Sequence, residues 1–462
     1  MSPIYDFYIG CTGRRHLHFQ HLHQKYGRVV RYGPNELAFN TPQAFRDMYG
    51  FKRNVRKADA VTVGASTNPD EQSTFSEPYT ERAMRKRKIL SQGFSESALK
   101  AAEEYMIDQI KVLCKQLVNP STEKVKDLSL WLNYLAYDIM GEVVFGKSFN
   151  MMTDPSLRYV LDLIDSMVFS TLLGGIMPWF YRTGLIGLIF PGLFQMRRRF
   201  MSYVGGVVQE RVAKEGESTS EGRKDFFHHL LRARDPSTGK PLAPSTLFVE
   251  GLLLIVGGSD TSSTGLAATI FYLLKHKRCM DKLYEELDNT FTDVEAIKTG
   301  QDLTSCVYLK ACIEEALRMA PPGPGVLPRT ILKGGETIDG EYLPEGTTVG
   351  VAWWALGYNA NYFPNPEEYR PERYLVGEST TETEVELAKE SYWPFSMGPR
   401  KCPGIKMAYQ ELYITIARLV YLFDITPENP AELEHNFELL DHFNVKKHGP
   451  LASFQLRKGK HL

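Results

Sequence analysis

The sharpest chemical feature of the sequence is the segment Phe395-Ser-Met-Gly398-Pro-Arg400-Lys-Cys402-Pro-Gly404, which runs into a helical pattern from Ile405 to Phe423. A cysteine just ahead of a helix meets backbone N–H groups that favour an anion, and Arg400, two positions earlier, adds positive charge. A thiolate in that setting is a soft, electron-donating metal ligand. Taken alone, a cysteine is more often a buried thiol that packs as a small apolar side chain.

A second candidate lies in a helical pattern from Pro244 to His276, which contains Gly257-Gly258-Ser259-Asp260-Thr261-Ser262. Two glycines in mid-helix cost roughly 2 kcal/mol relative to alanines, so something must justify them. Either another helix approaches closely, or a flat ligand lies against this face and Asp260 and the Thr261 hydroxyl deliver protons beside it. Glu315 and Arg318, three apart on another helical pattern, read as a surface ion pair or as part of a buried network. His16, His18, His21 and His23 pair off on different helix faces, so a wet amphipathic helix is expected there and not a metal site. His228 and His229 are adjacent and cannot share a face. Gly335 to Gly340 is followed by Glu341, so no phosphate loop is present. No Ser/His/Asp or Cys/His arrangement has a motif behind it.

These residues need elements to hold them. The chain has 462 residues, 43% hydrophobic and 24% charged, an ordinary globular composition too apolar for disorder. Length alone predicts about three domains. With 54 basic against 55 acidic residues the net charge is −1, which argues against a broad basic surface for nucleic acid. Six cysteines without a C-x-x-C pair suggest neither a disulfide framework nor a zinc ribbon, and point to a reducing, intracellular setting. No signal peptide pattern opens the chain. The most apolar stretch, Ser166 to Tyr181, is short and interrupted by Gly174, Gly175 and Pro178, so no transmembrane span is expected.

The N-terminal part predicts one helix, His16 to Tyr26, and a hairpin of Arg28 to Tyr32 and Leu37 to Asn40 around Gly33-Pro34-Asn35. Helical spacing then dominates, through Leu128 to Val144, Phe200 to Val212, Pro244 to His276 and Leu303 to Met319. Strand signals return at Thr330 to Val351 and Phe443 to Leu456. Lys214 to Lys224 and the acidic Gly377 to Glu390 read as solvated connectors. Strands at the two ends lack partners of their own, so the expectation is one domain over residues 1–462, mainly α with a small β-rich lobe.

The segment at 395–404 resembles the haem-binding loop of the cytochrome P450 family, F-x-x-G-x-R-x-C-x-G, at every fixed position. The family's other marks follow in order: G-G-x-D-T at Gly257 to Thr261, E-x-x-R at Glu315 to Arg318, and P-E-R-F/W at Pro371-Glu372-Arg373-Tyr374, with Tyr in the aromatic place. The resemblance runs from about Tyr26 to the C-terminus and implies the cytochrome P450 fold and haem b (iron protoporphyrin IX) held by Cys402. It places Phe395, Gly398 and Arg400 in the haem loop, Gly257 and Gly258 against the haem, and Asp260 and Thr261 as a proton relay. Glu315, Arg318 and Arg373 become the buried network behind that loop. Arg87, Arg329 and Arg400 match the usual propionate partners, although the family commonly has Trp or His four residues before the first of these, where this chain has Ala83.

The resemblance further implies a monooxygenase that uses dioxygen and two electrons from NADPH, delivered by a separate NADPH-cytochrome P450 reductase, with cytochrome b5 as a further donor. Arg82, Arg85, Lys86, Arg87 and Lys88, with Arg400, Lys401 and Lys406, are expected to form a basic docking face. The expected substrate walls are Lys57 to Pro78, Met167 to Phe194, Leu253 to Thr261, Val326-Leu327 and the tail around Leu451 to Phe454, with Leu254, Val326, Leu327 and Leu451 as candidate contacts to an apolar ligand. Pro322-Gly-Pro-Gly-Val-Leu-Pro-Arg329 and Trp354-Ala-Leu-Gly-Tyr-Asn359 are similar to fungal secondary-metabolism members near the trichothecene C-15 hydroxylase type. Hydroxylation, epoxidation and phenol coupling stay open. The rivals are a reductase-independent haem-thiolate isomerase or dehydratase, and a non-catalytic haem or ligand binder. The expected setting is the cytoplasmic face of the endoplasmic reticulum, for a monomer that binds no nucleic acid. The family's membrane anchor is expected before Met1, or else a peripheral attachment through Ile176 to Phe194.

Overall fold

The computed structural model describes residues 3–63, 71–217, 225–234 and 239–462. Its axis is the 32-residue helix Pro244–Lys275, which begins with Pro244 in the first turn, where a missing N–H costs nothing, and stops at His276. From Ser262 to Leu273 every residue is buried. Leu128–Phe145 packs along this central helix and is itself buried on nearly every side, as expected of a helix that is apolar all round. Asp127 caps its start by accepting the Leu130 N–H, and Gly146, in the left-handed region at φ 72°, ends it. Helices Val307–Met319 and Ile405–Leu422 close the other sides. The predicted helix Leu303 to Met319 is broken at Cys306, because the Glu286 carboxylate accepts the N–H groups of Tyr308 and Leu309 at 2.7 and 2.8 Å and so starts a new helix there.

The β-rich lobe is a five-stranded sheet in the order Val29–Gly33, Glu36–Phe39, Thr348–Val351, Arg329–Ile331, Val55–Lys57. Its first pair is the predicted hairpin, and Glu36–Phe39 then runs parallel to Thr348–Val351, joining the two ends of the chain. Near the C-terminus the expected strand is divided. Leu439–His442 and Asn444–Lys447 form a hairpin turned at Phe443, which has φ 88°, and Leu451–Leu456 joins Phe423–Pro427 and Lys126–Asp127 in a separate sheet. The hairpin is tied to helix Val160–Ile176 by Asp165, which meets His442 Nδ1 at 2.6 Å and Lys446 Nζ at 3.2 Å.

Several expectations change here. A helix at Pro3–Cys11 precedes the predicted one, and its Asp6 takes Arg15 in a two-pronged buried pair at 2.8 Å. The histidine-bearing helix, Arg15–Tyr26, is amphipathic as expected, with His21, Gln24 and Lys25 exposed, but its other face packs on Trp353–Gly357, where His16 lies edge-on to Trp354 and burial pushes His16 down to about 3. The acidic connector holds a helix, Glu382–Ser391, started by a reciprocal Thr381/Glu384 cap and seated by Val385 and Ala388. The apolar stretch Pro155–Ile176 is long enough to cross a membrane, yet 56% of its most apolar window is buried, against Pro191–Glu217 and Pro3–Cys11.

A buried ionic network ties helix Val307–Met319 to the turn Pro371–Tyr374. Arg318 grips Glu315 with two bonds of 2.8 Å and donates to the Gly357 carbonyl, while Arg373 donates to Glu315 and to the Asn365 carbonyl. The Arg370 N–H also reaches Glu315. Glu315 and Arg318 are wholly excluded from solvent, so each depends on the others being present.

Candidate active site

The loop before helix Ile405–Leu422 is shaped by short-range contacts. The Cys402 N–H donates to the Phe395 carbonyl at 2.8 Å, and the Phe395 ring leans on Tyr409. Gly398 has φ 67° and faces the Tyr49 carbonyl so closely that a side chain would collide with it; only glycine fits. Cys402 emerges on a cavity of about 390 Å³, within the ~300–1,000 Å³ range of small-molecule sites. Burial pushes the Cys402 thiol up, opposed by the Gly404 N–H and by Arg87.

Across the cavity is the central helix. Gly257 and Gly258 both line it, for different reasons. Around the missing Gly257 side chain only Leu253 of the same helix is near, whereas a side chain at Gly258 would strike the Met140 sulfur on Leu128–Phe145. The close-helix reading thus accounts for Gly258, while Gly257 leaves open space on the cavity. Thr261 faces the cavity, with its hydroxyl donating to the Gly257 carbonyl at 2.7 Å. Asp260 is turned away. Its Oδ1 is 3.4 Å from Lys447 Nζ, and Lys447 also donates to Asn133 Oδ1 and Ser263 Oγ. Burial lowers the Lys447 pKa, and Asp260 opposes that. Nothing in the sequence pointed to Lys447, because the terminal hairpin delivers it.

One side of the cavity is strongly cationic. Lys57, Arg87 and Arg400 line it, and Arg329 stands behind them over the Tyr49 ring. Lys57 and Arg329 are direct partners across adjacent strands. Burial lowers all four; mutual repulsion adds to this for Lys57 and Arg400, bringing Arg400 to about 9. Arg400 donates to the Glu77 carbonyl, and Glu77 is the carboxylate that acts on it. Clustered, desolvated cations with so little compensation fit a ligand carrying two carboxylates, as haem does. Lys57 was expected only as the start of a substrate wall; its place among the cavity cations follows from pairing with a strand far along the chain.

Of the expected walls, Leu254, Val326 and Leu327 line the cavity, as do Val61, Ser73 to Phe75 and part of the stretch after Met167. Within the Lys57 to Pro78 wall, residues 64–70 lie outside the described residues. Leu451 is a correction: it pairs with Asp127 in a sheet, and the hairpin residues Asp441, Phe443 and Asn444 take that place on the cavity. The basic face is also revised. Arg82, Arg85, Lys88 and Lys401 are exposed, but Lys86 folds inward onto the Gln72 carbonyl and toward Glu77. Two further carboxyls belong to the site. Glu250 accepts the Thr74 N–H and hydroxyl, tying the 57–78 loop to the central helix, and burial pushes it up to about 7. Glu411, on the cysteine helix, lines the cavity; burial pushes it up to about 8, with the Ser262 hydroxyl opposing.

The family model described as Cytochrome P450 matches residues 7–448. The chain is 32% identical to the cytochrome P450 monooxygenase AKT7 of Alternaria alternata, over 98% of this chain and 90% of that protein. It is 34% identical to the cytochrome P450 monooxygenase fscF of Fusarium equiseti, over 97% and 88%, and 37% identical to the cytochrome P450 monooxygenase apf8 of Gibberella fujikuroi, over 77% and 99%.

The raised Glu411 pKa has a sign that can be tested. Between its ordinary value of 4.5 and about 8 the folded protein holds a proton that the unfolded chain has released, so this residue's contribution to stability falls as pH rises. Glu411→Gln removes that dependence. In urea unfolding, the stability of the variant relative to the parent should rise by about 1 kcal/mol or more between about pH 5 and about pH 8. An unchanged difference at the two pH values would show that the carboxyl is already ionised at neutrality.

Proposed function

The chain belongs to the cytochrome P450 family of monooxygenases, and we propose that it oxidises an apolar secondary metabolite with dioxygen and NADPH-derived electrons, passed on by a separate reductase. The observation that carries this reading is the single cavity bounded by Cys402, by Gly257 and Thr261, and by the cations Lys57, Arg87 and Arg400. Residues from both ends of the chain line that cavity, which supports treating 1–462 as one domain.

In this reading Cys402 holds haem iron, and Arg87, Arg400 and Lys57 hold the propionates, with Arg329 behind them. Haem, when bound, supplies the activation of dioxygen and the transfer of one oxygen atom to carbon. The protein does the rest. Thr261 holds a proton at its Oγ on the cavity side. Asp260, bonded to Lys447, is the store behind it, reached when the carboxylate swings from Lys447 toward the cavity. Leu254, Val326 and Leu327 exclude water and orient an apolar substrate. The position of Thr261 on the cavity wall favours a monooxygenase over an isomerase or a plain haem binder, which need no proton delivery there. Hydroxylation, epoxidation and phenol coupling all fit this arrangement.

The exposed bases Arg82, Arg85, Lys88 and Lys401 suit an acidic reductase surface on the cysteine side. Trp179, Leu188 and Ile189 are exposed apolar residues, as are Ile4 and Tyr8 of the first helix, whose Phe7 lies edge-on to Phe180. These residues suit peripheral contact with a membrane, in keeping with an endoplasmic-reticulum enzyme.

Three outcomes are expected. The haem-loaded, reduced carbon-monoxide adduct should show the red-shifted Soret band of thiolate ligation, and Cys402→Ala should abolish it; the same band in the variant refutes ligation by Cys402. Arg85→Glu with Lys88→Glu should slow haem reduction by the reductase severalfold at low ionic strength, an effect that fades with added salt, while substrate-induced spectral shifts stay unchanged. Equal reduction rates would remove this face from electron transfer. Replacing Trp179, Leu188 and Ile189 together by serine should lower sedimentation with phosphatidylcholine vesicles severalfold, and undiminished sedimentation would rule these residues out as the contact.

A further inference from the structure

Asp441 is a carboxylate that the oxygen chemistry does not use. It is the penultimate residue of the first strand of the terminal hairpin, is 0% exposed, and lines the cavity. Its own N–H is fixed by the Gly13 carbonyl at 2.7 Å, and its Oδ1 accepts the Phe443 N–H at 3.1 Å. Its Oδ2 is buried and has no hydrogen-bond partner among the described residues. Gly325, also on the cavity wall, leaves that oxygen uncovered: a side chain there would start 3.2 Å from it. A buried acceptor with a lone pair free and a glycine window in front of it is an unmade hydrogen bond, and such groups are costly unless a partner arrives.

The neighbouring charges leave this carboxylate unmatched. Arg15 lines the same cavity, but its Nε and Nη2 are both engaged by Asp6 at 2.8 Å, and its guanidinium lies 4.7 Å from the Phe19 ring centre. One arginine between two buried carboxylates leaves an excess negative charge. Burial raises the Asp441 carboxyl pKa; Arg15, the Phe443 N–H and His442 oppose this, and Asp6 adds to it. Asn444 adds a second polar group to a cavity wall otherwise rich in Leu, Val and Pro.

We propose that Asp441 Oδ2 receives a hydrogen-bond donor of the substrate, a hydroxyl or a protonated amine, and so fixes which carbon of an otherwise apolar molecule faces the reacting centre. This rests on the haem-thiolate reading above. The donor anchors one end of the substrate at the hairpin turn, while the apolar walls hold the remainder. A carboxylate-bearing substrate would be repelled.

The test uses the haem-loaded full chain and a set of N-alkylimidazoles, whose ring nitrogen binds haem iron and whose alkyl chains, of graded length, end in ammonium, hydroxyl, methyl or carboxylate. Soret titration gives each affinity. At the chain length that spans the cavity, a donor-ended probe should bind about tenfold or more tightly than the methyl-ended one, with the carboxylate-ended probe weakest. Preference for ammonium alone assigns a cationic substrate, and preference for both donors a hydroxylated one. Asp441→Asn keeps an oxygen for the Phe443 N–H but turns the free acceptor into a donor; it should erase the preference and leave the affinity for unsubstituted imidazole unchanged. Equal affinity for methyl, hydroxyl and ammonium ends at every length overturns the proposal, as does an unaltered ranking in Asp441→Asn. The parent series decides by itself if the variant fails to load haem. No Soret shift with imidazole itself would overturn the haem reading, and this inference with it.

Discussion

Buried positive charge is the constraint on which this molecule turns. Lys57, Arg87, Arg329 and Arg400 converge on one side of a largely apolar cavity, and burial and mutual repulsion weaken their hold on protons. Proteins seldom keep such a cluster without a counter-charge, because the desolvation of each cation must be offset. Here the elements that bring the cations together come from four parts of the chain: two strands of the five-stranded sheet, the helix Thr80–Leu90, and the cysteine loop. A doubly anionic ligand would make that convergence favourable, and in the proposed reading it would lie between Cys402 and the central helix.

The central helix serves packing and chemistry on adjacent residues. Gly258 lets Met140 come close and Gly257 leaves room on the cavity, one step round the helix. A further turn places Thr261 on the cavity and Asp260 against Lys447, so hydroxyl and carboxylate lie on different sides of one helix. The terminal hairpin that supplies Lys447 also supplies Asp441, Phe443 and Asn444 to the cavity, so one hairpin touches both Asp260 and the cavity. Asp165, bonded to His442 and Lys446, holds that hairpin to helix Val160–Ile176, which itself lines the cavity through Met167 and Leu172.

Buried carboxyls around the cavity divide into distinct roles by their partners. Glu315 is saturated by two arginines and is structural. Glu250 is saturated by Thr74 on one oxygen and ties a loop down. Glu411, with one oxygen unpartnered and burial dominant, is held toward its neutral form. Asp441 alone combines an open oxygen with a glycine window on the cavity. Burial is common to all four; what differs is which hydrogen-bond donors face them.

The residues expected to carry the chemistry were legible in short stretches of sequence. The ten-residue cysteine loop, the Glu315/Arg318 pair and the Gly-Gly-x-Asp-Thr run are local patterns, and each needs only a helix or a turn to be read, whereas Arg373 joins Glu315 from 58 residues away. The hairpin at 29–39 and the long apolar helices were equally legible, because their periodicity is local too. What depended on long-range pairing was not. Lys57 became a cavity cation only through its register with Arg329, Lys447 met Asp260 only because the terminal hairpin folds onto the central helix, and Leu451 gave way to Asp441 because strand Leu451–Leu456 found partners at Lys126–Asp127 and Phe423–Pro427. The burial of His16 and the inward turn of Lys86 were misjudged for the same reason. Burial is a property of what packs against a residue, and neither composition nor spacing carries that information.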